Sequence, residues 1–254
     1  MENYGIGLLG QVPVRESVTH TSEMVSELLF GEGFIIDDRY QHWLKVRTLF
    51  DNYSGWIDSR QVMLLENEPP VSNVFTGAHD AVIERSTDYA RFRVGMGCPL
   101  PNYAETKFEI NNITFHYDGR IQQGIRNAEG ILDTAVLFIN TPYLWGGKSS
   151  FGIDCSGFVQ TVFRMNGFTL PRDASQQAVT GTAVNFISEA KPTDLFFFDN
   201  ENGEITHAGI YLGDNRIIHS SGFVRISNVD GEGILRQDDK GYTHHLRVIK
   251  RVAL

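Results

Sequence analysis

The residues best equipped for chemistry in this chain are a cysteine at position 155 and histidines at 207 and 219. Asp154-Cys155-Ser156-Gly157 stands directly ahead of Phe158, Val159, Val162 and Phe163, an apolar repeat with helical spacing. Asp154 is an N-cap residue type, so the pattern predicts Cys155 in the first turn of a helix. The free amides and positive dipole end of that turn favour a thiolate, and a nucleophilic cysteine needs a lowered thiol pKa. The Asp154 carboxylate works against this, so a further activator is required. A buried structural cysteine is the competing reading.

The histidines supply a candidate activator. Thr206 to Leu212 alternates, Gly213-Asp214-Asn215 has turn composition, and Arg216 to His219 returns, which predicts a β-hairpin. A three-residue loop would pair Leu212 with Arg216 and Gly209 with His219. His207 and His219 would then be diagonal neighbours on one face. A two-residue loop would put them on opposite faces. In the first register one imidazole can take the thiol proton while the other fixes its tautomer. Core packing and zinc ligation are the alternatives for both, although no Asp, Glu or Cys stands at zinc-like spacing from them. No metal and no cofactor are expected. His244-His245 reads as a solvated strand pair outside any site.

These residues need elements to hold them. Ala128, Ile131, Leu132, Ala135, Val136 and Ile139 describe an amphipathic helix stopped by Thr141-Pro142, and Gly167 stands where the second helix would end. From Leu195 onward the reading turns to strands, so residues 125–254 are expected as an α+β domain. Ahead of it, Val12–Arg15, Met24–Phe30, Phe34–Ile36, Trp43–Arg47 and Gly55–Ile57 read as short strands between polar turns. Five strands in about sixty residues suggest a small all-β barrel over 1–65. Glu66 to Pro70 reads as a linker. Residues 70–122 carry strand-like stretches at Phe92, Lys107 and Ile113, and allow a degenerate second barrel.

Composition narrows the function classes. The chain has 254 residues, 41% hydrophobic and 21% charged, with a formal net charge of -9. That charge offers no basic field for nucleic acid or anionic lipid. No apolar run reaches the length of a spanning helix, so membrane insertion is not expected. The two cysteines, Cys98 and Cys155, cannot build a four-thiolate site. Met1-Glu2-Asn3-Tyr4-Gly5 lacks an export signal, which favours the cytoplasm; a periplasmic or envelope protein stripped of its leader is the alternative.

Five blocks in order carry a family resemblance: Thr141 to Gly147, Asp154 to Val159, Leu170 to Gln177, His207 to Tyr211, and Ile218 to Ser220. Over residues 125–254 the chain resembles the NlpC/P60 cysteine peptidases. Residues 5–65, ending in Tyr53-Ser54-Gly55-Trp56-Ile57, resemble a bacterial SH3-like domain. The whole is similar to the γ-D-glutamyl-L-diamino acid endopeptidases that cut murein stem peptides. That resemblance implies a papain-like domain with Cys155, His207 and His219 as its triad. It further implies that an acidic residue beside the nucleophile, here Asp154, and groups of the first barrel hold the free amine of an N-terminal L-Ala. Trp145, Ser156 and Asp173 match positions near the cleft, as does Ala174, where the family often has Ser. Tyr53 and Glu23 are the barrel candidates, with ordinary barrel surface as their alternative. Trp145 could equally be core packing. The rival functions are a peptidoglycan-binding protein without catalysis and an amidase or acyltransferase using the same cysteine and histidines.

Overall fold

The computed structural model describes residues 3–126, 128–236 and 241–253. Met1, Glu2 and the side chain of Ala128, which the sequence reading used, lie outside the described residues. The chain divides into two compact units: Met1–Ile125 with Trp145–Phe151, and Arg126–Leu144 with Gly152–Leu254.

The first unit begins with strands β1 (Tyr4–Gly7), β2 (Gln11–Arg15), β3 (Met24–Leu29), β4 (Gly33–Tyr40), β5 (Trp43–Thr48), β6 (Ser54–Asp58) and β7 (Val62–Leu65). They form one sheet in the order β3-β2-β6-β5-β4-β1-β7. Alternation explains its core: Val12 and Val14, Leu44 and Val46, with Leu28, Phe34 and Ile57, all point to one side. The five stretches read from sequence are all strands. β1, interrupted by Gly5 and Gly7, and the four-residue β7 are too short to stand out, and they pair with each other.

Residues 74–123 add β8 (Val74–Thr76), β9 (Ala81–Arg85), β10 (Arg91–Val94), β11 (Lys107–Ile110), β12 (Ile113–His116) and β13 (Ile121–Gln123). These build a four-stranded sheet, β10-β9-β12-β11, and a β13-β8 pair. Phe30 stacks edge-on against Phe108 and Phe115, so this region shares a core with the first sheet. Cys98 is buried in that core.

One stretch departs from the boundary drawn at residue 125. Trp145–Phe151, including the two-residue strand β14 (Lys148–Ser149), packs within the first unit. The Lys148 ammonium pairs with Glu32 at 3.2 Å, its amide donates to Glu27 at 2.8 Å, and Gln11 donates to the Ser149 hydroxyl at 2.7 Å. Gly146 has φ +77°, and a Cβ there would sit 2.3 Å from the Met24 carbonyl oxygen. Only glycine permits that approach.

The second unit holds α1 (Ala128–Leu137), β15 (Gly152–Ile153), α2 (Cys155–Met165), the short α3 (Ala174–Gln177), and β16 (Thr182–Val184). Then come β17 (Leu195–Asp199), β18 (Ile205–Gly213), β19 (Arg216–Ser221), β20 (Phe223–Asn228), β21 (Gly233–Leu235) and β22 (Tyr242–Arg251). The sheet order is β16-β22-β17-β18-β19-β20, with β21 on β22. Val229 also bridges Ile234, so the β20–β21 turn bends the sheet back toward its own first strands. Phe196, Phe198, Tyr211, Ile217 and Ile249 fill the enclosed side. α2 packs on the other face, against β18 and β19. This is the expected α+β arrangement. Among the described residues no helix is long and apolar enough to cross a membrane.

Candidate active site

Asp154 caps α2 as its residue type predicts. It is extended at φ -86° and ψ 179°, and its carboxylate accepts from the Gly157 amide at 2.7 Å. Cys155 is therefore the first residue of the helix. The Phe158 amide closes the first turn onto the Asp154 carbonyl at 2.9 Å. The amides of Cys155 and Ser156 remain at the helix start, and the Ser156 amide faces the sulfur.

The thiol lies against the strand that carries His207. Cys155 Sγ donates weakly to the Thr206 carbonyl at 3.9 Å, and the Ala208 amide points at the sulfur from the other side of His207. His207 Nε2 and His219 Nδ1 are 2.8 Å apart. His219 Nε2 continues to the Ser227 hydroxyl at 3.0 Å. Ser227, two strands from His207, was invisible to sequence reasoning because its only signal is the β19–β20 register, which pairs His219 with Arg225.

The hairpin reaches the expected pairing by an unexpected route. Gly209 does pair with His219, but Gly213 rather than Leu212 pairs with Arg216. The turn has two residues, Asp214 (φ 51°) and Asn215 (φ 55°), both left-handed as a type I′ turn requires. A bulge at Leu212, between Tyr211 and Gly213, restores the register that a two-residue turn alone would have shifted.

A second expectation is corrected at His244. It is not a solvated strand residue: its ring stacks on His207 with centroids 4.1 Å apart and planes 26° apart. Phe198 packs at the edge of His244 and beside His207. His245, the next residue on β22, is exposed as expected.

Burial disfavours charge on the cysteine and on both histidines. Burial, then the Asp154 charge, push the Cys155 thiol up to about 12, outweighing the amides of Ala208 and Ser156 and the Arg172 charge. Burial and the neighbouring His219, His244 and Arg225 hold His207 well below the ordinary imidazole range. Burial, His244 and Arg225 bring His219 down to about 3. The helix start does not by itself make a thiolate here, because desolvation of the charged form wins.

The remaining expected site residues divide in two. Asp154 is buried and paired with Arg172, whose two terminal nitrogens reach its oxygens at 3.0 and 2.5 Å. The Ser156 hydroxyl joins them, donating to Asp154 at 3.2 Å and accepting from Arg172 at 2.9 Å. Asp173 precedes α3 without capping it through its side chain, and Ala174 is buried. Tyr143 also belongs here. Its phenol is pushed up by burial and by the nearby Cys155 and Asp154, so it stays protonated. In the first unit the Trp145 indole donates to Glu23 at 2.7 Å, and both side chains are exposed. Trp145 is thus surface, not core. Tyr53 is half-buried in the β5–β6 turn, where its amide donates to the Thr48 hydroxyl at 3.0 Å.

Among the described residues, one group could hold a cation. Ligand atoms of His20, His42 and Asp58 lie within 4.8 Å of one another. Asp58 already accepts from Arg60 at 2.5 Å, so a metal would have to displace that guanidinium.

Comparison with known proteins agrees with this geometry. Residues 140–241 match the NlpC/P60 family, and residues 14–62 match the bacterial dipeptidyl-peptidase Sh3 domain. A γ-D-glutamyl-L-lysine dipeptidyl-peptidase of Bacillus subtilis (strain 168) is 32% identical over 215 residues, covering 77% of this chain and 71% of that protein. A Bacillus cereus protein with the same description is 27% identical over 80% of this chain and 69% of its own length. The crystal structure of an NlpC/P60 family protein from Bacillus cereus superposes with a TM-score of 0.80 at 20% identity, over 98% of this chain and 99% of that one. This chain therefore belongs to the NlpC/P60 family, as a cysteine peptidase whose catalytic domain follows a bacterial SH3 domain.

Proposed function

We propose that this enzyme hydrolyses the γ-D-Glu–L-diamino acid bond of murein stem peptides that carry a free N-terminal L-Ala, releasing an N-terminal dipeptide. The observation that carries the chemistry is the 2.8 Å contact between His207 and His219 beside the Cys155 thiol. The bond and substrate rest on the two relatives described as γ-D-glutamyl-L-lysine dipeptidyl-peptidases.

The mechanism takes His219 Nε2–H as the donor to the Ser227 hydroxyl, so that its Nδ1 accepts from His207 Nε2–H. His207 Nδ1 is then an unprotonated acceptor, with no hydrogen-bond partner among the described residues. It takes the Cys155 proton as the sulfur attacks the γ-carbonyl carbon. The developing oxyanion is met by the amides at the start of α2. His219 stabilises the resulting imidazolium. Collapse breaks the C–N bond, the His207 proton passes to the leaving amine, and water then hydrolyses the thioester.

Asp154 remains our candidate for the substrate ammonium, with Arg172 and Ser156 setting its orientation. Glu23 and Tyr53 are proposed as barrel contacts on the strength of the family resemblance.

The test is mass spectrometry of products from L-Ala-γ-D-Glu-L-Lys, its diaminopimelate counterpart, and the N-acetylated forms. Release of L-Ala-D-Glu from the free-amine peptides alone is expected. Cleavage of the acetylated forms at equal rate would remove the amine requirement. Cleavage of none would refute the proposed bond and leave an amidase or acyltransferase to be sought.

A further inference from the structure

Arg225 stands opposite His219 in the β19–β20 register, so both project from the same face of the sheet. Ser227, two residues along β20, lies on that face too and holds His219 Nε2. The cross-strand pairing with His219 brings Arg225 to the histidine cluster, and its positive charge disfavours protonation of His207, His219 and His244. Yet Arg225 makes no ion pair and no hydrogen bond among the described residues. Its Nε is buried without a partner, and the Phe223 ring lies 5.6 Å from the guanidinium carbon.

A buried, unpaired guanidinium nitrogen is costly, and proteins keep such groups where a ligand satisfies them. Among the described residues the fully buried cations Lys148 and Arg172 have their carboxylates, Glu32 and Asp154, whereas half-buried Arg225 keeps its Nε out of water without one. It stands across from His219, the hydrogen-bond partner of the histidine that hands its proton to the leaving amine. In the proposed substrate that amine is attached to a carbon bearing a carboxyl group. An α-carboxylate is only two bonds from the nitrogen that His207 protonates.

We propose that Arg225 binds the α-carboxylate of the diamino acid on the leaving side of the scissile bond, so that a peptide ending at that residue is preferred. This deepens the function proposed above and rests on it.

The experiment compares kcat/KM for L-Ala-γ-D-Glu-L-Lys and for the same peptide with a C-terminal carboxamide. Wild-type protein is expected to favour the acid by about 10- to 100-fold, the worth of a charge-assisted hydrogen-bonded contact. Arg225→Gln should bring the acid down to the level of the carboxamide and leave the carboxamide within about 3-fold. Arg225→Lys, which keeps the charge and fold but not the fork, should recover part of the preference. Equal losses of both peptides in Arg225→Gln would overturn the proposal and assign Arg225 to the histidines alone. Cleavage of both by wild type without preference would also overturn it while sparing the proposed bond. If wild type cleaved neither peptide, both readings would fall together.

Discussion

His244 lies face to face with His207, ring centroids 4.1 Å apart, and so forms one wall of the pocket that holds the base. The stack fixes the plane of an imidazole that otherwise depends on one hydrogen bond to His219. Replacing His244 with Ala should lower kcat by about 2- to 10-fold with little change in KM, the worth of one aromatic contact. His244→Phe keeps the stack and should recover most of the rate. Steady-state kinetics of the two variants checks this, and equal losses would show that the stack is not what matters.

Cys155 is the only thiol in the site. Cys155→Ala should abolish turnover. Cys98→Ser should keep kcat, because Cys98 is buried in the core of the first unit, although its thermal stability will fall. Activity retained in Cys155→Ala, measured by product release, would remove the nucleophile assignment.

The imidazoles make a pH prediction with a definite sign. His219 titrates near 3 in the folded protein and near 6.5 when unfolded, because burial disfavours its charged form. Between those values the unfolded chain binds more protons, so stability is full above pH 6.5 and is lost as pH falls toward 3. His207 acts in the same direction. Thermal melts from pH 7 to pH 4 should therefore show a falling Tm, with a shallower slope in His219→Asn. The acid limb of kcat should lie below pH 6.5, since His207 stays neutral there.

Asp154 and Arg172 make a buried bidentate pair at the start of α2. Asp154→Ala removes the cap and strands a buried guanidinium, which should cost about 3–5 kcal/mol. Denaturant unfolding measures it. The double variant Asp154→Asn with Arg172→Met should be more stable than Asp154→Asn alone, because no buried charge is left unpaired.

Gly146→Ala should destabilise the first unit by more than the roughly 1–2 kcal/mol of a left-handed alanine, since its Cβ would also strike the Met24 carbonyl. A fall in Tm without any loss of secondary structure at 25 °C is the expected result. An unchanged Tm would mean that the 145–151 segment can leave its seat freely.

Much of this protein is written locally. Asp154 before an apolar helical repeat is enough to set Cys155 at a helix start, because the cap is a contact three residues long. The alternating strands of the first barrel and of β18–β19 are equally legible, since period-two burial needs only neighbours. The histidine site is not local. Leu212 bulges out of β18 where a turn count alone would have turned His207 away from His219, and only the fitted sheet decides that. His244 looked solvated because its own strand alternates without apolar emphasis; only the assembled sheet, with β22 and β18 on either side of β17, stacks its ring on His207. The thiol's protonation was likewise beyond reach of the sequence, which shows the helix dipole but not the burial that overrides it. The sequence by itself determined which residues could react and which elements hold them. Register, sheet order and desolvation, all long-range, decided how they meet.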